Sequence, residues 1–208
     1  MKQRKLYKLF KGQVKNGWDV KKEDFPESIE ERFFPEPENI FKALSLIKPK
    51  DVKYIIFGQD PYYSETNGIP DATGVAFATN GKKRHALGRI MNKVGNEKMD
   101  LTDWIEKRGV LLLNASLTVP AGNKREFAGA HLNGEIWDDF IKSIVSQVKE
   151  ANPNVKLIAW GVKTRQFVVD KLGIKPFVWS HHPCASTTGK DSFDEFWKKD
   201  IGCKLRMI

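Results

Sequence analysis

Short apolar runs alternate along the chain with segments of helical spacing, and this alternation is the dominant pattern of the sequence. The apolar runs, rich in β-branched and aromatic residues, predict strands at Val52–Phe57, Val110–Asn114, Val155–Trp160 and Pro176–Ser180. Apolar residues at helical spacing predict helices at His85–Val94, Leu101–Lys107, Gly134–Lys149, Lys163–Lys171 and Phe193–Ile201. The sequence therefore predicts an α/β fold with a central four-stranded parallel sheet flanked by helices on both faces.

The length and composition favour a single domain. The chain has 208 residues, 40% of them hydrophobic, which is enough for one full core, and no shift in composition divides it. The basic N-terminal stretch lacks a signal-peptide core and predicts a first helix, Pro35–Pro37 predicts a stop, and Ile40–Ile47 predicts another short helix. We expect one domain, with an N-terminal helical region at 1–40 and a core that carries the site at 41–208.

The chain is strongly basic. Lys and Arg number 35 against 26 Asp and Glu, which gives a formal net charge of +9 and a pI near 9.4. Such a balance suits a polyanionic partner such as nucleic acid, and a solvated basic surface is the alternative.

Cysteine usage and hydropathy bear on the cellular setting. Cys184 and Cys203 are too few and too far apart for a disulfide framework or a zinc knuckle. We therefore expect a reducing compartment, the cytoplasm, or the nucleus if the source is eukaryotic or viral. No apolar stretch approaches the ~18 residues that cross a bilayer, so we expect no membrane partner.

Polar side chains follow three of the predicted strands. Gln59 and Asp60 come after the first strand, where Gly58 permits a sharp turn, Asn114 ends the second, and His182 follows the fourth. In an open parallel sheet these strand ends share one edge, where ligands bind. A carboxylate, an amide and an imidazole are thus predicted to converge. The chain shows no phosphate-binding loop and no metal-ligand spacing, so we expect neither metal nor cofactor.

Five sequence motifs carry a specific resemblance. They are, in chain order, Gly58–Tyr62, Gly74–Phe77, Leu111–Asn114 with Leu117–Val119 following, Trp160-Gly161, and His182-Pro183. In order and spacing this series resembles the motifs of family 1 uracil-DNA glycosylases, and the resemblance runs from about Phe41 to the C-terminus. It implies an enzyme of base excision repair, independent of metal and cofactor. Such enzymes hydrolyse the N-glycosidic bond of a flipped-out deoxyuridine, release uracil and leave an abasic site.

The resemblance implies that Asp60 and His182 are the catalytic residues. Breaking a glycosidic bond passes through an oxocarbenium-like sugar, so Asp60 is implied as the carboxylate that stabilises this charge and orients or deprotonates the attacking water. His182 is implied as the donor to a carbonyl oxygen of the departing uracil. His181 matches no role in the family and is expected to be structural.

Gln59, Tyr62, Phe77 and Asn114 are implied as substrate-binding residues. An amide has a donor and an acceptor, so Asn114 can donate to uracil O4 and accept from N3–H, whereas cytosine presents the opposite pattern. Tyr62 matches the ring that fills the place of the 5-methyl group of thymine, and Phe77 matches the aromatic on which the flipped base stacks. Taken singly, a turn-capping amide and core aromatics are the ordinary alternatives.

The loops expected to contact DNA depart from the family pattern. Lys83, Arg84 and His85 lie in a charged segment that replaces a proline-rich loop, and we expect contacts with phosphates there. Ser186, followed by Thr187, stands where the family has a leucine that wedges into the vacated base stack. Because extruding a base costs least in single-stranded or mismatched DNA, we predict a stronger preference for single-stranded or U:G substrates than is usual.

The entrance to the predicted pocket also departs from the family pattern. Tyr63 replaces the usual His, and Ser64–Thr73 is longer than the usual loop.

Two other functions stay open. One alternative is a glycosylase of the same superfamily that acts on another lesion. The other is a glycosylase-fold DNA-binding or replication-scaffold protein with weak or absent activity. We expect a monomer that acts on single- and double-stranded uracil-containing DNA, with a proteinaceous inhibitor or replication factor as a candidate partner.

Overall fold

The strands form one principal sheet and two small two-stranded pairs. A computed structural model describes residues 1–81, 85–95, 100–122 and 125–207. The strands are, in chain order, β1 (Phe33–Phe34), β2 (Tyr54–Gly58), β3 (Glu65–Thr66), β4 (Ile69–Pro70), β5 (Val110–Asn114), β6 (Val119–Pro120), β7 (Lys156–Trp160) and β8 (Val178–Ser180).

The principal sheet confirms the predicted fold class. It has four parallel strands in the order β5–β2–β7–β8, while β1 pairs with β6 and β3 with β4, both antiparallel. The four predicted strands are therefore present, with small differences at their ends. β2 begins two residues later than predicted because Pro49–Asp51 forms a 3-10 turn that ends at Val52.

Helices flank the sheet and follow the predicted order. They are α1 (Gln3–Gln13), α2 (Lys42–Ser45), α3 (His85–Val94), α4 (Leu101–Arg108), α5 (Ala130–Asn133), α6 (Asp138–Ala151), α7 (Val162–Gln166), α8 (Phe193–Phe196) and α9 (Asp200–Met207). Within the described ranges, no helix combines the length and apolar character needed to cross a membrane.

Three helix predictions were wrong at their bounds. Glu135 adopts φ 57°, which interrupts the helix predicted from Gly134, so α6 begins only at Asp138. The segment predicted as one helix from Lys163 divides into α7 and a π-helical turn at Phe167–Lys171. α8 and α9 are separate helices, and between them the carbonyl of Trp197 accepts a hydrogen bond from the Arg206 side chain at 2.6 Å.

The central strands are buried, and the N-terminal region packs into the same core. Ile55, Ile56 and Phe57 are fully buried, as expected for a strand covered on both faces. The ring of Phe10, from α1, lies 5.2 Å from that of Phe41, edge to face. The N-terminal region therefore packs into the same core as the rest of the chain. That the whole chain forms one domain stays a prediction.

A buried histidine connects the N-terminal region to the segment that follows β5. His131 is 4% exposed; its Nδ1 lies 2.8 Å from Thr118 Oγ1, and its Nε2 lies 2.5 Å from a carboxylate oxygen of Glu30. The indole N–H of Trp137 donates to the same Thr118 oxygen at 2.7 Å. These bonds satisfy polar groups that burial would otherwise penalise, and they fix the chain beside the strand end that carries the candidate site.

Candidate active site

The carboxyl ends of the parallel strands surround one cavity. Gly58 is the register partner of Asn114, and the backbone N–H of Ala115 continues the pairing by donating to the Gly58 carbonyl at 2.9 Å. β8 ends at Ser180 and leads directly into His182. The cavity at this edge has a volume of about 250 Å³. Its lining includes all six residues predicted as catalytic or substrate-binding: Gln59, Asp60, Tyr62, Phe77, Asn114 and His182.

The carboxylate of Asp60 is partly buried and has three favourable neighbours. The backbone N–H of Gly129 donates a hydrogen bond to its Oδ2, the side chain of Gln59 donates another, and the ammonium group of Lys163 adds an attractive charge. Burial outweighs all three and raises the pKa of Asp60 to about 6. At neutral pH the group is therefore mostly ionised, yet its pKa is close enough to neutrality for it to accept a proton from water.

The imidazole of His182 is held as a neutral ring with a defined tautomer. The backbone N–H of Cys184 donates to His182 Nδ1 at 3.1 Å, so the proton of the neutral ring belongs on Nε2. Burial lowers the pKa of His182, which keeps the ring uncharged at neutral pH. Over the described residues Nε2 has no hydrogen-bond partner, so its N–H is free for a ligand in the cavity.

The loop that carries His182 is fixed from two sides. The backbone N–H of Ala185 donates to the His182 carbonyl at 2.8 Å, which closes a turn. Arg89, from α3, donates to the Ala185 carbonyl at 3.0 Å and to the Asp194 carboxylate at 3.1 Å. Because these bonds hold the loop, the orientation of the imidazole is set before a ligand binds.

The side chain of Asn114 lies against Gly58 at the end of the neighbouring strand. Asn114 is 8% exposed, and within the described part of the chain its amide has no hydrogen-bond partner. A Cβ atom at position 58 would collide with Asn114 Oδ1 and approach Ala76 Cβ and Phe77 Cζ to 3.2 Å each. Glycine at this position therefore makes room for the amide, whose donor and acceptor remain available to a base.

Aromatic side chains form two further walls of the cavity. Phe77 adopts φ 69°, an uncommon conformation for a residue other than glycine, and its ring centroid lies 5.3 Å from that of Trp160 and 6.1 Å from that of His182. Tyr62 donates from its hydroxyl to the Phe77 carbonyl at 3.4 Å. The strained Phe77 backbone thus aims a ring into the cavity while Tyr62 closes another side.

Two of the residues predicted to contact DNA, Ser186 and Thr187, are not among the residues that line this cavity. Ser186 is exposed and Thr187 half-buried, and both lie further along the loop that carries His182. The predicted phosphate contacts Lys83 and Arg84, and the side chain of His85, lie outside the described residues. Their DNA contacts stay predictions.

Three features of the site were missed in the sequence. Gly129 and Lys163 contact or face Asp60 from distant parts of the chain, and nothing in their local sequence signals that proximity. The segment Ser64–Thr73, which the sequence predicts as a longer loop, contains the β3–β4 hairpin. The dipeptide Asn67-Gly68 is a strong hairpin signal and identifies the turn in retrospect.

Among the residues that the structure describes, potential metal ligands do not cluster, and the thiol beside the cavity is protonated. Over the ranges that the structure describes, no cluster of three or more His, Cys, Asp or Glu side chains is arranged to hold a metal ion. Cys184 and Cys203 are both free thiols. Cys184 lines the cavity, but burial raises the pKa of its thiol, so it is protonated at neutral pH.

Comparisons with known proteins converge on one family. The family model described as the Uracil DNA glycosylase superfamily matches residues 44–200. The curated "Uracil-DNA glycosylase" of Aliarcobacter butzleri (strain RM4018) is 37% identical over 150 residues, which is 65% of this chain and 65% of that protein's length. The protein of the same name from Streptococcus sanguinis (strain SK36) is 35% identical over 167 residues, covering 76% of this chain and 72% of that protein.

A solved structure shows the same fold. The crystal structure of a mimivirus UNG variant in complex with UGI aligns with a TM-score of 0.63 at 21% identity, covering 85% of this chain and 74% of that chain. The family match spans well over half of the present sequence and includes all five motifs, which confirms the resemblance drawn from them. The chain belongs to the uracil DNA glycosylase superfamily.

Proposed function

We propose that this chain is a uracil-DNA glycosylase of base excision repair, which hydrolyses the N-glycosidic bond of a flipped-out deoxyuridine and leaves an abasic site. The observation that carries the proposal is the convergence of the Asp60 carboxylate, the neutral His182 and the Asn114 amide around one cavity. Curated relatives named uracil-DNA glycosylase, at 37% and 35% identity, support it.

In the proposed reaction, water adds to C1′ of the sugar as the C1′–N1 bond breaks and its electron pair leaves with uracil. Asp60 stabilises the positive charge that develops on the sugar and accepts the proton of the attacking water. Nε2–H of His182 donates to the uracil carbonyl oxygen on which negative charge develops. A donor held in place for such an oxygen contributes about 3 to 4 kcal/mol to the barrier reduction.

Base selection rests on the remaining lining residues. Asn114 donates to O4 and accepts from N3–H of uracil, and cytosine would leave this buried amide mispaired. Phe77 provides a stacking surface, worth about 1 to 3 kcal/mol per base in related settings. Tyr62 fills the position of the thymine methyl group, and Gln59 contributes to binding beside Asp60.

The proposed macromolecular partner is uracil-containing DNA, single-stranded or duplex. The net charge of +9 supports an electrostatic contribution to binding. We assign phosphate and backbone contacts to Lys83, Arg84, His85, Ser186 and Thr187. Because the mimivirus relative was solved in complex with UGI, an inhibitor protein is a candidate partner for this chain as well.

One sequence feature favours a second candidate function. Ser186 replaces the wedge leucine, and a protein that flips bases poorly would serve as a glycosylase-fold DNA-binding scaffold. An excision assay separates the two. Single-stranded oligonucleotides carrying one uracil, cytosine or thymine are incubated with the protein in EDTA, and alkali-labile abasic sites are counted.

The glycosylase proposal expects cleavage only of the uracil oligonucleotide. In Asn114→Ala the rate falls by about 10²-fold or more, because the base loses both hydrogen bonds. The matched control is Asn154→Ala, which removes an exposed amide far along the chain and leaves the rate unchanged. No cleavage by the wild-type protein, with DNA binding retained, would instead assign the scaffold function.

A further inference from the structure

A rigid hairpin projects from the wall of the cavity. Strands β3 and β4 are joined by Asn67 and Gly68, which adopt φ 54° and 76°, as in the turns that favour tight hairpins. The carboxylate of the fully buried Asp71 accepts hydrogen bonds from Ser64 Oγ at 2.6 Å and Thr66 Oγ1 at 2.8 Å. The buried carboxylate therefore fastens one strand of the hairpin from inside.

The base of this hairpin is continuous with the cavity. Tyr62 and Tyr63, which precede Ser64, and Ala72 and Thr73, which follow Asp71, all line the cavity. A flipped base has to enter through this mouth, so the rest of the duplex has to lie across it. The hairpin, whose base borders this mouth, is therefore close to the DNA that is proposed to bind there.

An apolar side chain stands next to the tip. Ile69 is 59% exposed, although it follows the turn of an otherwise polar hairpin and is the largest apolar side chain in it. A scattered exposed isoleucine is ordinary on a protein surface. Ile69 differs in its setting, because it follows a tight turn in a hairpin whose base borders the cavity that is proposed to receive a base.

Basic residues come next in the sequence after the segment that packs beside the hairpin. Asn80 donates to the Asp71 carbonyl at 3.0 Å through its backbone and to the Pro70 carbonyl at 3.1 Å through its side chain. A Cβ atom on Gly81 would lie 3.1 Å from Thr66 Oγ1, so this segment is in close contact with the hairpin. The sequence then continues into Lys82-Lys83-Arg84, which lie outside the described residues. In sequence, basic residues thus follow the segment that packs on the hairpin, which suits a partner with negatively charged phosphates.

We propose that Ile69 inserts between stacked bases of duplex DNA beside the extruded nucleotide. Isoleucine is among the apolar side chains that proteins insert at base steps, where they replace lost stacking and hold the gap open. The inference rests on the proposed function, and it gives the chain an apolar wedge although Ser186 is polar. Ile69 acts only when a stack has to be opened, so single-stranded substrates do not need it.

The test compares excision rates on two substrates of one sequence. Single-turnover rates are measured on a U:A duplex and on the corresponding single strand, for wild type, Ile69→Ala, Ile69→Leu and Phe177→Ala. Phe177 is the matched control because it is 56% exposed and precedes β8, at the opposite edge of the sheet from the site. Thermal melting of each variant verifies folding.

We expect Ile69→Ala to lower the duplex rate by about tenfold and to leave the single-strand rate within about twofold. Ile69→Leu keeps the duplex rate, and Phe177→Ala changes neither. An equal loss on both substrates, or no loss on the duplex, would overturn the inference.

A second readout does not depend on excision. Asp60→Asn protein is added to a duplex with 2-aminopurine next to the uracil, whose fluorescence rises when the stack opens. The rise should be lost in the Asp60→Asn, Ile69→Ala double variant, and an undiminished rise contradicts insertion. If the wild type released no uracil from either substrate, the proposed function would fail while this fluorescence comparison still decided the role of Ile69.

Discussion

The backbone N–H of Gly129 donates a hydrogen bond to Oδ2 of Asp60, across 69 residues of sequence. Gly129 adopts φ 75°, and a Cβ atom at this position would lie 3.0 Å from Gln59 Nε2 and 3.4 Å from Lys163 Nζ. The segment before α5 thus closes over the carboxylate, and only glycine fits there without displacing the neighbours of Asp60.

Substitution of Gly129 should therefore damage the site more than the fold. In Gly129→Ala the added methyl group pushes against Gln59 and Lys163, and the hydrogen bond that orients Asp60 is weakened. We expect the single-turnover excision rate to fall by about 10²-fold, the loss typical of a catalytic group displaced by about 1 Å.

Gly173→Ala is the matched control for this substitution. Gly173 also has a left-handed φ, 65°, but an added Cβ would meet nothing within 4 Å. It therefore carries the same kind of backbone strain without the collision. If both variants lost activity equally, general strain, and not the contact with Asp60, would explain the result.

Activity should decline on the acid side of neutrality. The pKa of Asp60 is raised to about 6, so the carboxylate is protonated as pH falls through that value and can no longer stabilise the sugar or accept a proton. Burial lowers the pKa of His182, so its ring is protonated only at lower pH than an exposed histidine would be. The profile of kcat/KM against pH should show one acid limb near pH 6, and a flat profile down to about pH 5 would contradict the assignment.

The position of that limb should depend on Lys163. The ammonium of Lys163 lowers the pKa of Asp60, so Lys163→Gln should shift the acid limb to higher pH. The shift should shrink at high salt, because Lys163 is exposed and its charge is screened. Lys149→Gln removes the same charge from an exposed position at the end of α6 and should leave the limb in place. An unmoved limb in Lys163→Gln would show that the two groups are not coupled.

The buried carboxylate should reduce stability at neutral pH. The folded-state pKa of Asp60 is raised from 3.8 to about 6, so the folded protein binds this proton more tightly than the unfolded chain, and stability falls as pH rises between these values. Asp60→Asn keeps an acceptor for the Gly129 N–H and removes the charge. We expect its free energy of unfolding to exceed that of wild type by about 1 to 3 kcal/mol near pH 7.5.

Denaturant unfolding at two pH values measures this difference. The gain from Asp60→Asn should become smaller near pH 4.5, where the wild-type carboxyl is protonated in the folded state. A gain that is the same at both pH values would assign the effect to packing and not to the charge.

Uracil should be excised more slowly from a U:A duplex than from single-stranded DNA. Ser186 is exposed and polar on the loop that carries His182, so it cannot replace stacking as a leucine would. We predict faster excision from single-stranded and U:G substrates than from U:A duplexes. Ser186→Leu should raise the U:A rate by about tenfold and leave the single-strand rate unchanged. Equal wild-type rates on single-stranded and U:A substrates would contradict the prediction.

The strands of the sheet and the six cavity residues were predictable because short stretches of the sequence contain the signal for each. The apolar run Ile55–Phe57 specifies a buried strand, and the strand order of an α/β sheet brings Asp60, Asn114 and His182 to one edge. The resemblance to the glycosylase motifs supplied their roles. Helix ends were less predictable. The positive φ of Glu135 and the hydrogen bond between the Trp197 carbonyl and Arg206 leave no mark in the apolar periodicity of the sequence.

The missed parts of the site depend on long-range packing. Lys163 comes beside Asp60 through α7, which follows β7, and Gly129 through the segment before α5, and no pattern near either residue indicates this. The tautomer of His182 follows from one backbone hydrogen bond, from Cys184, which a sequence does not contain.

Release of free uracil by the wild type and Asp60→Asn proteins tests the account most directly. A single-stranded oligonucleotide with one uracil is incubated with excess protein in EDTA, and free uracil and abasic sites are quantified together. We predict equal amounts of the two products from wild type, and a rate lower by about 10³-fold in Asp60→Asn, which remains folded and binds the oligonucleotide. Undiminished release by Asp60→Asn would contradict the assignment of Asp60 as the catalytic carboxylate.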